Sequence, residues 1–147
     1  MSECSCHKNK IDDSVCPVVK LEKLADRIFW LKVRCPELAK NALPVNALMV
    51  YPSEGGEPLL GRPFGVADAD PVRGEVSVCF MLWGKGTELI SHFREGVMVH
   101  VRGLFAVPFP DRDAKIHIAC GGAGAALFLS MCKVHPERVA GLYLGIP

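Results

Sequence analysis

Hydrophobic and polar residues alternate along several short segments of this chain. The clearest case is the segment 76–82, where Val76, Val78 and Phe80 alternate with Ser77 and Cys79. A period of two residues is typical of a strand that buries one of its two faces. The pattern therefore predicts a strand at this point, with Phe80 on the buried side.

The same alternation predicts further strands on both sides of this segment. They cover residues 18–24, 28–34, 47–51, 59–67 and 97–102. The first two form a predicted hairpin about Asp26, and residues 36–41 are a predicted helical turn. Six or so short antiparallel strands with one helix inserted late predict a small closed barrel.

A glycine-rich turn follows the strand 76–82. Its sequence is Gly84-Lys85-Gly86-Thr87, and a short helix with Leu89, Ile90 and Phe93 on one side is predicted after it. Two glycines allow another group to approach the backbone closely, and the first N–H groups of a helix attract anions. The segment fits either an anion-binding site or a structural turn capped by threonine.

The pattern changes after residues 108–113, where prolines and charges predict a boundary. A short apolar strand over 115–120 is followed by a second glycine-rich turn, an apolar helix to about His135, and a last strand over 138–145. This order predicts one strand–helix–strand unit. Its apolar last strand is predicted to be an unprotected sheet edge unless another strand pairs with it.

Composition excludes several classes of function. The net charge is +1 without a long run of one sign, which argues against nucleic acid or an anionic membrane as partner. The longest apolar stretch, residues 123–132, is too short to span a bilayer. The N-terminus lacks the apolar core of a signal peptide, and seven cysteines in largely apolar surroundings favour a reducing cytoplasm.

Cysteines near the N-terminus raise the question of a metal site. Cys4, Cys6, His7 and Cys16 offer thiolate and imidazole donors suited to zinc or iron. A structural site usually needs a second well-spaced pair, so a flexible tail with incidental cysteines is the favoured interpretation and no metal is predicted. The scattered histidines, which are His92, His100, His117 and His135, are interpreted as surface or packing residues.

Three motifs occur in an order that matches a known family. They are Arg62-Pro63-Phe64-Gly65, Gly84-Lys85-Gly86-Thr87, and the run from Cys120 through Gly121, Gly122, Ala123, Gly124 and Ala125 to Ala126. In these motifs the chain resembles ferredoxin–NADP reductase-like flavoproteins. The likeness is greatest to the electron-transfer subunit of B-type dihydroorotate dehydrogenases, which serve pyrimidine biosynthesis, and to its relatives in hydrogenases and sulfide dehydrogenases. The resemblance covers about residues 18–145.

The resemblance implies a fold and a domain organisation. The expected fold is a six-stranded antiparallel Greek-key β-barrel of the flavin-binding type, followed by a partial α/β nucleotide-binding unit. Residues 1–14 would be a flexible tail, 15–110 the FAD-binding barrel domain, and 114–147 an incomplete βαβ unit of a pyridine-nucleotide-binding domain.

The resemblance also implies roles for the motif residues. The first motif would contact FAD, with Arg62 on the diphosphate, where a guanidinium can bind two phosphate oxygens at once. The second motif would bind the FAD phosphates. Phe80 and Trp83 would lie near the cofactor, although Phe80 fits a core position better. Gly121, Gly122 and Gly124 would receive NAD(P)H, or would simply allow close helix packing.

The chain departs from the family pattern at several positions. Gly65 stands where a serine or threonine contacts the flavin, Cys120 stands where a glycine is usual, and Ala126 is not followed by proline. The cysteine region that binds a [2Fe–2S] cluster in the family is not found in this sequence. A mononucleotide-binding half also needs more than one βαβ unit. These departures suggest a fragment, a chain completed by a partner, or a reduced relative.

Two main hypotheses of function follow. The first is a cytoplasmic FAD-binding electron-transfer subunit or fragment that moves electrons between NAD(P)H and an iron–sulfur partner, with no catalytic side chain because the flavin does the chemistry. The alternative is a non-catalytic module that docks on a larger oxidoreductase and has a degenerate flavin site. A metal-sensing module built on the N-terminal cysteines is a third possibility.

Overall fold

The structure is a computed structural model, and it describes residues 12–52, 56, 58–105 and 114–145. Its strands are β1 Asp12–Ala25, β2 Ile28–Arg34, β3 Ala47–Tyr51, β4 Arg62–Asp70, β5 Glu75–Met81, β6 Met98–Phe105, β7 Ile116–Gly121 and β8 Val139–Gly145. Its helices are α1 Pro36–Asn41, α2 Lys85–Ile90 and α3 Leu129–Val134, together with 3₁₀ segments at Gly122–Phe128 and Pro136–Arg138. No helix in these ranges is long and apolar enough to cross a membrane.

The first six strands form a closed antiparallel barrel. Their order around it is β1-β2-β5-β4-β3-β6, and β6 pairs with β1 to close it. Because β5 lies between β2 and β4, and β3 lies between β4 and β6, the connections have the Greek-key form. The barrel predicted from the sequence is confirmed, and three of its elements (α1, β2 and β3) have the predicted bounds.

Alternating apolar residues fill the barrel interior. Each strand sends every second side chain inward, as the period of two requires. The most deeply buried members are Val18, Leu31, Leu48, Val50, Val66, Val76, Val101 and, from the inserted helices, Leu38 and Ile90. This single core fixes the positions of β4, β5 and α2, the elements that carry the first two motifs.

Some element bounds differ from the predictions because strand pairing extends beyond the local pattern. β1 begins at Asp12, since residues 12–17 pair with β6, so part of the predicted tail is in the barrel. β4 begins at Arg62 and extends to Asp70, where it pairs with Glu75. The predicted tail residues 1–11 and the predicted boundary at 108–113 lie outside the described residues.

Helix α2 is also shorter than predicted. It ends at Ile90, whose side chain is completely buried, whereas Leu89 is partly exposed. Phe93 lies beyond the helix, where its N–H donates to the carbonyl of Ile90 in a turn. The chain then reverses at Gly96, whose φ of +83° suits glycine, and enters β6.

The C-terminal part is a two-stranded parallel sheet with a helical connection. β7 pairs with β8 in parallel, which confirms the predicted strand–helix–strand order. The connection is not one helix, however. It begins as the 3₁₀ segment Gly122–Phe128, whose first residue has a positive φ of +55°, and continues as α3. The apolar strand β8 is largely exposed, and the exposed fractions of Leu142, Tyr143 and Leu144 lie between 48% and 59%.

A buried carboxylate connects β5 to β2 on the barrel wall. The Glu75 side chain is 7% exposed and pairs with Lys32 at 3.4 Å and with Arg34 at 3.2 Å. Two cations compensate the removal of this charge from water, and the register of the two strands places all three side chains together. The pairing therefore stabilises the register of the barrel at this position.

We expect Glu75→Gln to lower the free energy of unfolding by about 1–2 kcal/mol, because two partly exposed cations lose their buried partner. Urea denaturation of the wild type and the variant measures this change. Glu22→Gln is the control, since Glu22 pairs with Lys20 on the exposed surface and should change stability by less than about 0.5 kcal/mol. Equal effects of the two substitutions would contradict the role given to Glu75.

Candidate functional site

The first two sequence motifs meet where the Arg62 guanidinium lies against Gly86. Arg62 is the first residue of β4, and Gly86 is buried in the first turn of α2. A Cβ atom built on Gly86 would lie 2.8 Å from Cζ and 2.9 Å from Nη2 of Arg62, nearer than side chains approach each other. Only glycine therefore leaves room for the guanidinium at this position.

The Arg62 side chain is held from its own strand end. Its Nη1 donates a hydrogen bond to the carbonyl of Leu60 at 3.0 Å and a longer one to that of Gly61 at 3.4 Å. These bonds fix one edge of the planar group while the other edge faces the start of α2. The neighbouring Lys85 is exposed at the first position of that helix.

Thr87 organises the backbone of the turn before α2. Its Oγ1 accepts hydrogen bonds from the N–H groups of Trp83 at 2.9 Å and Gly84 at 3.2 Å, and it donates to the Gly84 carbonyl at 2.9 Å. The threonine therefore caps the turn, as the structural interpretation of the sequence holds. Gly84 has extended backbone and nothing within 4 Å of a Cβ built on it, so its backbone borders open space.

A cavity of about 260 Å³ lies between the barrel and the 3₁₀ segment Gly122–Phe128. Its lining comes from β4 (Pro63, Phe64, Gly65), from β5 (Cys79, Phe80, Met81) and from the 3₁₀ segment (Ala123, Gly124, Leu127). Pockets for whole drug-sized ligands are usually about 300–1,000 Å³. This cavity has the size for a flat ring system rather than for a complete dinucleotide.

Apolar residues form the barrel side of this cavity, with Cys79 and Met81 partly exposed and the Phe64 and Phe80 rings buried behind them. The Phe64 and Phe80 rings are 5.3 Å apart between centroids, and Phe80 is 5.6 Å from Phe29 in the core. Phe80 is thus a core residue, as its alternation predicts, and it also borders the cavity. Burial raises the pKa of the Cys79 thiol, so this side chain stays neutral at ordinary pH.

Trp83 behaves differently from Phe80, although the resemblance places both near the cofactor. The indole is 80% exposed and is not among the residues that border the cavity. Its backbone is nevertheless fixed, because its N–H is bound by Thr87. The structure therefore separates the two aromatic residues that sequence reasoning grouped together.

The first motif also meets the residue that follows the third motif, through a contact that sequence reasoning missed. A Cβ atom built on Gly65 would lie 3.0 Å from Cβ and 3.1 Å from Cγ of Leu127. Leu127 therefore packs directly on the backbone of β4, at the position where the family pattern has serine or threonine. The missing proline after Ala126 was the one signal in the sequence that pointed to Leu127.

The three glycines of the second glycine-rich turn, Gly121, Gly122 and Gly124, differ in backbone conformation and in the space around them. Gly122 has a positive φ, which favours glycine, and Gly121 lies close to the carbonyl of Gly145 in the paired strand. Gly124 has nothing within 4 Å of a Cβ built on it and borders the cavity. Close packing thus accounts for Gly121 but not for Gly124.

The other candidates from the sequence lie apart from this cavity. Cys16 is buried in β1, where a hydrogen bond from its thiol lowers the pKa of Cys35, while Cys4, Cys6 and His7 lie outside the described residues. Within the described ranges no three metal-ligating side chains cluster. His100 pairs with Asp13 and stacks on a tyrosine at the outer barrel wall, which fits a packing role.

Comparisons with known proteins identify similar sequences and similar folds. No family model matches the chain. Over 134 residues the chain is 30% identical to the protein "Dihydroorotate dehydrogenase B (NAD(+)), electron transfer subunit" of Desulforamulus reducens, an alignment that covers 87% of this chain and 50% of that protein. The chain spans about half the length of this curated relative, and 44% and 36% of the length of two others that it matches.

Solved structures share the fold. The NADH-dependent reduced ferredoxin-NADP oxidoreductase superimposes with a TM-score of 0.78 at 25% identity, covering 90% of this chain and 49% of that chain. Ferredoxin-NADP+ reductase from Plasmodium falciparum, at 13% identity, superimposes with a TM-score of 0.72 over 92% of this chain and 61% of that chain. With its Greek-key barrel and its three motifs in order, the chain has the fold of ferredoxin–NADP reductase-like flavoproteins and is similar in sequence to electron transfer subunits of dihydroorotate dehydrogenase B.

Proposed function

We propose that this chain binds FAD and acts as the flavin-carrying part of an electron-transfer protein. Arg62 and the turn Gly84–Thr87 hold the diphosphate, and the flavin ring enters the cavity between β4, β5 and the 3₁₀ segment. The observation that carries the proposal is the position of the Arg62 guanidinium on Gly86. Two motifs distant in sequence are thereby in contact with each other.

The residues present fit this cofactor. A guanidinium binds phosphate oxygens through parallel charge-assisted hydrogen bonds. Gly84 presents backbone without a side chain beside it, so a diphosphate can come close. The neighbouring cavity is apolar, bordered by Phe64 and Phe80, and of the size that a ring system needs. The charged and the apolar parts of the site thus match the two parts of the cofactor.

NAD(P)H is the proposed source of electrons. The turn that contains Gly121, Gly122 and Gly124 reaches the same cavity from the other side, where a nicotinamide could lie against the flavin. The names of two similar proteins include NAD(+) or NADH. A bound flavin supplies hydride acceptance and one-electron transfer, while the protein positions it and excludes water.

A redox partner subunit is the proposed electron acceptor. Several similar proteins are named electron transfer subunits of dihydroorotate dehydrogenase B, so a role beside a dehydrogenase of pyrimidine biosynthesis is the corresponding proposal. The iron–sulfur centre expected from the resemblance would then belong to the path between flavin and partner. A cytoplasmic location is part of the same proposal.

The visible spectrum tests the proposed cofactor. We expect the purified protein, as isolated or after addition of FAD and gel filtration, to carry one flavin per chain with absorption in the visible range. Anaerobic addition of NADH or NADPH should then bleach this absorption. A colourless protein that takes up no added FAD would overturn the proposal and favour the non-catalytic docking module.

We expect Arg62→Ala to weaken FAD binding by about 10- to 100-fold, because charge-assisted hydrogen bonds to the diphosphate are lost. Titration with FAD, followed by fluorescence, measures the dissociation constant. Arg73→Ala is the matched control, since Arg73 is an exposed arginine in the turn that follows β4 and pairs with Asp70 at the end of that strand. Equal affinity of the wild type and the Arg62 variant would remove Arg62 from the site.

We expect Gly86→Ala to weaken FAD binding by displacing the guanidinium, since the added methyl group would overlap Arg62. The two substitutions should be coupled, so Gly86→Ala should have little further effect in a chain that already carries Arg62→Ala. The double-mutant cycle in FAD affinity measures this coupling. Fully additive losses would show that Gly86 acts independently of Arg62.

A further inference from the structure

Two departures from the family pattern are in contact with each other. Gly65 replaces a hydroxyl residue, and Leu127 stands where the pattern has proline after Ala126. In the structure the Leu127 side chain lies on the Gly65 backbone, with only about 3 Å between Leu127 and a Cβ built on residue 65. Either departure alone is unexplained, but together they form one packed contact.

We propose that Leu127 is a positioning residue that closes one end of the ring cavity, and that residue 65 is glycine because Leu127 occupies the space above it. This inference rests on the proposed function, since it assigns the aliphatic wall of the flavin site. At this end the ligand ring meets carbon atoms of Leu127 instead of a hydroxyl group. The ring is held there by shape rather than by a hydrogen bond from residue 65.

Leu127 is fixed on the barrel by its neighbours in the chain. The Ser130 hydroxyl donates to the carbonyl of Leu127 at 3.3 Å, and Ser130 and Met131 are buried. One turn later Lys133 pairs with Asp68 of β4 at 3.0 Å. The segment that carries Leu127 is therefore attached to the same strand that carries Gly65.

The contact has different consequences for the two residues. A serine at position 65 cannot be accommodated while Leu127 stays in place, because its Cβ would be nearer to Leu127 than atoms in proteins pack. Removal of the Leu127 side chain would leave Gly65 intact and open the cavity to the 3₁₀ segment. Substitution of Gly65 is therefore expected to change the stability of the protein, and substitution of Leu127 is expected to change the binding of the ring. The two effects can be measured separately.

The first test compares Leu127→Ala with Leu129→Ala. Leu129 is partly exposed at the start of α3 and does not border the cavity. We expect Leu127→Ala to weaken FAD binding by about three- to tenfold through lost contacts, and to leave bound flavin more fluorescent and more accessible to iodide. Leu129→Ala should match the wild type. The proposal would be overturned if Leu127→Ala had the same FAD affinity and the same iodide quenching as Leu129→Ala. Tighter FAD binding by Leu127→Ala would also overturn it.

The second test uses the protein without FAD, so it is independent of the cofactor assignment. We expect Gly65→Ser to lower the melting temperature, and Leu127→Ala in the same chain to raise it again relative to Gly65→Ser. Gly65→Ala serves in the same way if the serine variant does not fold. If Leu127→Ala did not raise the lowered melting temperature of Gly65→Ser, the proposed contact between the two residues would be contradicted. If the wild type binds no FAD, the proposed function fails, but the melting temperatures still show whether Leu127 packs on residue 65.

Discussion

The contact between the Arg62 guanidinium and the backbone of Gly86 is the constraint on which the rest of the site depends. It requires glycine at position 86, and it directs one edge of the guanidinium to the start of α2 while the Leu60 carbonyl binds the other. The barrel makes the contact, because β4 and β5 are neighbours and α2 follows β5 directly. A fixed cation beside an uncovered glycine turn is a suitable place for a diphosphate.

The C-terminal unit completes the site by covering the apolar side of the barrel. Leu127 packs on Gly65, while Ala123 and Gly124 border the cavity that Phe64 and Phe80 line from the barrel. Cationic and apolar regions therefore adjoin along β4, with Arg62 at the strand start and Gly65 a short distance along it. One strand thus positions both ends of the proposed ligand.

Much of the barrel could be predicted from the sequence because alternation is a local signal. It predicted Ile28–Arg34 and Ala47–Tyr51 as they are observed. The start of β1 could not be predicted, because residues 12–17 join the barrel only through pairing with β6. The contact of Leu127 with Gly65 could not be predicted either, because it depends on how a 3₁₀ segment packs on a distant strand.

A crystal structure of the protein with bound FAD would test the central claim most directly. The account predicts that diphosphate oxygens lie within hydrogen-bond distance of the Arg62 guanidinium and of a backbone N–H in the turn Gly84–Thr87. It also predicts the flavin ring between Phe64 and the 3₁₀ segment. Diphosphate bound elsewhere on the barrel, with the Arg62 side chain unchanged against Gly86 and without contact to the ligand, would contradict it.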